Sequence, residues 1–141
     1  MTTRLVPYLV LNGNTKEAIQ FYKQALDAKL LFMQSFGEMP ENPDFPIPTE
    51  LKERVGHAML KVGETDLMLS DTFPGQPHHQ GNQVTICIVN KDKNASSKIY
   101  EAIKQDGQVI MELQETHFSP AYGSVVDKFG ITFQIFTEGQ F

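Results

Sequence analysis

Residues 8–26 read YLVLNGNTKEAIQFYKQAL, an apolar strand that runs through Asn-Gly-Asn into an amphipathic helical pattern. Part of this returns 78 residues later, where ICIVN at 86–90 answers YLVLN at 8–12 and Ile99-Tyr100 answers Phe21-Tyr22. A second match, Lys61-Val62-Gly63 with Lys128-Phe129-Gly130, has an offset of 67. The first half therefore carries about eleven extra residues between its helix and its last hairpin. They fall in MPENPDFPIPTELKER, residues 39–54, which holds four of the eight prolines.

Each half reads as strand, helix and three strands. The leading strands are 6–11 and 84–89. Asn14 with Glu17 three residues on resembles a capping box, and Ala18, Phe21, Tyr22, Ala25 and Leu26 form one apolar stripe. In the second half Asn94 is the expected cap, Ile99, Ala102 and Ile103 the stripe, and Asp106-Gly107 the stop. The remaining strands are expected over 28–36, 56–62 and 66–70, and over 108–114, 124–129 and 132–136. A βαβββ half covers one sheet face with its own helix and leaves the other uncovered. The pattern implies an α+β fold in which two tandem βαβββ modules form a curved, mostly antiparallel eight-stranded sheet around a cavity. Residues 1–141 would be a single domain, with module one about 4–73 and module two about 82–138.

Composition narrows the function. With 40% hydrophobic and 21% charged residues the chain is globular, and its net charge of −5 argues against a nucleic-acid partner. No 18-residue apolar window exists, the N-terminal apolar run is broken at Pro7, and the lone Cys87 has no internal disulfide partner. A cytoplasmic protein with no membrane partner is expected.

PYLVLNGNTKEAIQFYKQAL, HAMLKVGETDLMLSD and YGSVVDKFGITFQIF together resemble the PhnB-like branch of the vicinal-oxygen-chelate superfamily, which includes glyoxalase I, extradiol dioxygenases and bleomycin-resistance proteins. The resemblance implies the glyoxalase/bleomycin-resistance fold, a homodimer, and divalent-metal ligands on the first and last strands of each module in metal-using members. Those slots fall on Pro7, Met68, Val84 and Gln134. Pro and Val cannot coordinate, Met is too soft for Mg, Mn or Ni, and Gln is a weak neutral ligand, so no metal or other cofactor is expected. PhnB-like proteins are often labelled demethylubiquinone methyltransferases. No strand here leads into a G-x-G-x-x-G turn, and the sequence does not support that label.

If the first hairpin turns at Gly63-Glu64, His57 lies opposite Ser70 and Met59 opposite Met68. One face then carries His57, Met59, Lys61, Met68 and Ser70, and the other Ala58, Leu60, Val62, Leu67, Leu69 and Asp71. The apolar side suits packing under a helix, and the mixed side a cavity wall. Three roles stand open for His57: a hydrogen-bonded rim residue, a ligand contact, or a general base. The expected wall comprises Leu9, His57, Met59, Met68, Ser70, Ile86 and Gln134, with Phe118 and Tyr122 in a loop at its mouth. Cys87 would face a helix, His78 and His79 would be solvated linker residues, and Asp127-Lys128 would serve the last turn. Residues 39–53 would be a surface excursion, a flap, or an arm toward a second subunit. The leading expectation is a metal-independent protein that binds a small molecule in a mainly apolar cavity, with no catalytic residue identified. The alternatives are a superfamily lyase, isomerase or dioxygenase-like enzyme using His57 and Gln134, with or without a weakly bound metal, and an interaction module with no small ligand.

Overall fold

The computed structural model describes residues 2–139. The chain divides between His79 and Gln80 into two compact units, each a βαβββ module with one mixed four-stranded sheet. The first unit has β1 (Tyr8–Leu11), α1 (Thr15–Ala25), β2 (Lys29–Ser35), β3 (Val55–Val62) and β4 (Thr65–Asp71) in the order β1-β4-β3-β2. The second has β5 (Ile86–Asn90), α2 (Lys93–Ile103), β6 (Gln108–Thr116), β7 (Ser119–Val126) and β8 (Thr132–Thr137) in the order β5-β8-β7-β6. In each sheet the leading strand pairs parallel with the last, and the other pairs are antiparallel.

The hairpin between β3 and β4 turns at Gly63-Glu64, with Gly63 at φ +56°, a conformation that costs glycine no Cβ clash. Met59 pairs with Met68, and Ala58, Leu60, Leu67 and Leu69 are buried on the side of α1, as the hairpin register requires. The helices bury a slightly different stripe from the expected one. In α1 it is Thr15, Ala18, Ile19 and Tyr22, and in α2 Ser96, Tyr100 and Ile103, so Phe21 and Ile99 sit at the margin.

The helix caps also differ from the expected ones. The Asn14 side chain makes no capping bond. Instead Asp71, 2% exposed at the end of β4, accepts from Gly13 N at 2.7 Å, Thr15 N at 3.1 Å and Thr15 Oγ1 at 2.8 Å through Oδ1. Its Oδ2 accepts from Val55 N at 2.9 Å. One carboxylate at the end of β4 thus ties the start of α1 to the start of β3, replacing the local cap with a long-range one. The second unit solves the same problem with a local carboxylate cap and, at the strand ends, a network of neutral groups. Asp92, not Asn94, caps α2 by accepting from Asn94 N. Ser96 Oγ donates to Asn90 Oδ1 and bonds Thr137 Oγ1, while Ser119 Oγ donates to the Thr137 carbonyl at 2.6 Å.

The structure corrects the strand phase. Leu9 pairs with Leu69 and is buried toward α1, and Ile86 pairs with the buried Phe133 toward α2. Neither belongs to the expected wall. Leu11 pairs with Asp71 and Asn90 with Thr137 at matching places, an offset of 79 between the leading strands, while the caps Asn14 and Asp92 keep 78. Three residues join β1 to α1 and two join β5 to α2. Aligning YLVLN on ICIVN therefore slips one residue, and a one-residue slip turns every side chain to the other face. By the same phase Cys87 is exposed on the side away from α2 rather than under it.

Candidate functional site

Each helix covers one face of its sheet. The far face of the first sheet is organised around His57. Tyr8, paired with Met68, lies 3.1 Å from His57 Nδ1 through its hydroxyl and stacks on the imidazole at 5.7 Å between ring centroids. Phe32, paired with Met59 beyond an irregularity in β2, sits 5.9 Å from the same ring. The half-buried imidazole is thus held between two aromatic rings with Nδ1 engaged, which leaves Nε2 as the nitrogen able to meet another molecule. Met59 and Met68 lie half-buried beside it, and Ser70, 7% exposed, pairs with Val10. His57, Met59, Met68 and Ser70 are therefore brought to one face. Tyr8 and Phe32 were missed. The phase of β1 hid the first, and the irregularity in β2 obscured the second.

On the far face of the second sheet the centre is an amide. The Tyr122 hydroxyl donates to Gln134 Oε1 at 2.5 Å, and Gln134 Nε2 donates to Thr85 Oγ1 at 2.8 Å. Both ends of the Gln134 side chain are occupied. Phe118 packs edge-on to Tyr122 at 5.0 Å and stacks on Phe136 at 5.9 Å. The segment around Phe118 is not a loop: β7 begins at Ser119, five residues earlier than expected, and only His117 and Phe118 separate it from β6. Cys87 stands beside Gln134 across the parallel pair, and partial burial raises its thiol above the ordinary value. At neutral pH it is a thiol, not a nucleophilic thiolate.

The remaining expected residues lie elsewhere. His78 reaches back to the Val10 carbonyl with Nε2 at 2.9 Å, and His79 is exposed. Asp127 Oδ1 accepts from Phe129 N and Ile131 N, so it serves the last turn.

The family model described as 3-demethylubiquinone-9 3-methyltransferase matches residues 3–136. The chain is similar to PA1353 of Pseudomonas aeruginosa, at 32% identity and TM-score 0.88 over 99% of this chain and 100% of that one. It is 30% identical to Protein YjdN of Escherichia coli K12 over 138 residues, 93% of this chain and 92% of that protein. The chain belongs to this PhnB-like family and has the fold of glyoxalase/bleomycin-resistance proteins. Its fold recurs in the Bacillus cereus PhnB protein, a putative 3-demethylubiquinone-9 3-methyltransferase, at TM-score 0.76 and 19% identity over 96% of this chain and 99% of that one. It recurs again in a Frankia glyoxylase/bleomycin resistance protein/dioxygenase domain, at TM-score 0.69 and 11% identity over 99% of each.

In this PhnB-like chain the slots named for metal ligands read differently once the phase is known. Pro7 lies outside β1, where its carbonyl accepts from Met68 N, and the exposed Val84 precedes β5. The side chains that accompany Met68 and Gln134 are Tyr8 and Thr85. Neither pair, phenol with thioether or hydroxyl with amide, suits a divalent cation. Among the described residues no three His, Cys, Asp or Glu side chains cluster for a metal, and no helix is long and apolar enough to cross a membrane.

Proposed function

We propose that the chain binds a small, largely apolar molecule on the far face of its first sheet and needs no metal to do so. The observation that carries this reading is the Tyr8–His57 pair, which presents one fixed imidazole among Phe32, Met59 and Met68. A directed polar group set in aromatic and thioether surface is the composition of a small-molecule contact. Tyr122, Gln134 and Phe118 supply the same mixture on the second sheet. The competing reading is an enzyme in which His57 and Gln134 move a proton or hold a metal, but the Gln134 amide is neutral and already engaged by Tyr122 and Thr85. Methyl transfer finds no support in two mixed sheets of order 1-4-3-2, which lack the parallel switch-point crevice of a nucleotide-type cofactor.

The exposed apolar runs Leu30–Met33 and Val109–Met111, on edge strands β2 and β6, support a homodimer that covers them. A cytoplasmic location goes with this reading. Elemental analysis after extensive dialysis tests it: metal should lie far below one equivalent per chain, and stoichiometric Mn, Fe, Ni or Zn would sink it.

A further inference from the structure

The proline-rich insertion builds a concavity apart from the far faces. It encloses about 520 Å3 and is lined by residues of 36–47 together with Lys52 and Phe73. That volume lies within the ordinary range for small-molecule pockets. No residue of the His57 face lines it.

Its floor is fixed by contacts to the sheet. Phe36 is buried and meets Phe73 edge-on at 5.7 Å, Phe36 N donates to Arg54 O at 2.9 Å, and Gly37 N donates to Lys52 O at 2.8 Å. Met39 lies over Gly56, where a Cβ would come within 2.3 Å of its terminal methyl. The outer wall is different. Among the described residues, the hydrogen bonds of 40–47 stay within the wall itself, Asp44 N to Asn42 Oδ1 and Phe45 N to Asn42 O, and Phe45 is 62% exposed. A fixed floor under a locally bonded wall is the arrangement of a site that orders when occupied.

The lining selects a ligand class. Three phenylalanines and three prolines offer flat apolar surface to a planar ring. Lys52 is its one cation, its backbone is pinned to the floor, and among the described residues its ammonium has no ion pair. Glu41, the one acid in the lining, is a solvent-exposed residue of the outer wall. We infer that the pocket between the 36–47 segment and Phe73 is a second binding site, for a planar aromatic carboxylate whose ring lies flat on Phe73 and edge-on to Phe36 and whose charge meets Lys52.

The test is a titration of the full chain with 1-naphthoate, followed by amide chemical shifts, with uncharged 1-naphthalenemethanol as the paired probe. Saturable shifts are expected at Phe36, Gly37, Lys52 and Phe73, with naphthoate the tighter ligand. Lys52→Gln, which changes an exposed side chain, should weaken naphthoate about three- to fivefold and leave 1-naphthalenemethanol unchanged. Phe73→Ala should weaken both. The inference is overturned if shifts fall only at His57, Met59 and Met68, if both probes bind alike, if Lys52→Gln acts equally on both, or if no saturable shift occurs at millimolar probe. Shifts confined to the His57 face would leave the function proposed above standing while removing this one.

Discussion

The two units share a strand order and a chain path, yet they join helix to sheet with different chemistry. In the first, the buried carboxylate of Asp71 gathers four donors from the start of α1 and the start of β3. In the second, the same junction is a network of hydroxyls and an amide around Thr137. A carboxylate accepts at four lone-pair positions and bonds strongly to each donor, but it carries the desolvation of a charge. Hydroxyls share smaller loads, so no single one is indispensable. Duplicated architecture therefore does not imply duplicated energetics: the first unit concentrates its closure on one residue, and the second spreads it.

Substitution at the junctions tests this most severely. Asp71→Ala strands buried donors and should destabilise the chain by about 3–5 kcal/mol in urea denaturation. Thr137→Val removes one hydroxyl while Ser96 keeps Asn90, and should cost about 1 kcal/mol. Equal losses at the two sites would break the comparison. His57→Ala should change stability by no more than about 1 kcal/mol, because the ring is only half-buried and its partner Tyr8 stays solvated. A loss of several kcal/mol would return His57 to the structural role left open by the sequence.

The smallest expected effect is on pH. The Arg4 guanidinium at 2.9 Å, with Lys61 at 3.4 Å, holds the Asp66 carboxyl below its usual value, against a smaller opposing effect of burial. A depressed carboxylate contributes stability that is present above its unfolded value, near 3.8, and is lost as pH falls through its lower folded one. Amide exchange near Arg4 should quicken only in that acid range, since the Arg4 side chain is solvent-exposed and the pair is weak. No comparable tie is expected to loosen in the second unit, where the surface ion pair Lys104–Glu101 lies within α2 and its first turn beyond.

Much of this was legible from the chain. The repeat, the Gly63-Glu64 turn and the Met59–Met68 register follow from period-two patterning and turn chemistry, which are local. The phase of the leading strands was not. It depends on one extra residue between β1 and α1, within Asn12-Gly13-Asn14, where Gly13 takes φ +92° with the Arg54 guanidinium packed against it. That single residue moved Tyr8 onto the His57 face and Leu9 off it, and in β5 exchanged Cys87 for Ile86. A signal for the Asp71 junction was present: a carboxylate on the helix-covered side of a hairpin must be heavily bonded to be tolerated. Nothing local revealed that its partners would come from Gly13, Thr15 and Val55, since long-range caps leave no sequence signature comparable to a capping box.

The most direct test of the account is the melting temperature of EDTA-treated protein screened against apolar small molecules, in parallel with His57→Ala. Some compounds should raise the melting temperature of the metal-stripped chain, and this rise should shrink in the variant. Shifts that appear only after Mn2+, Ni2+ or Zn2+ is restored, or that survive His57→Ala unchanged, would contradict it.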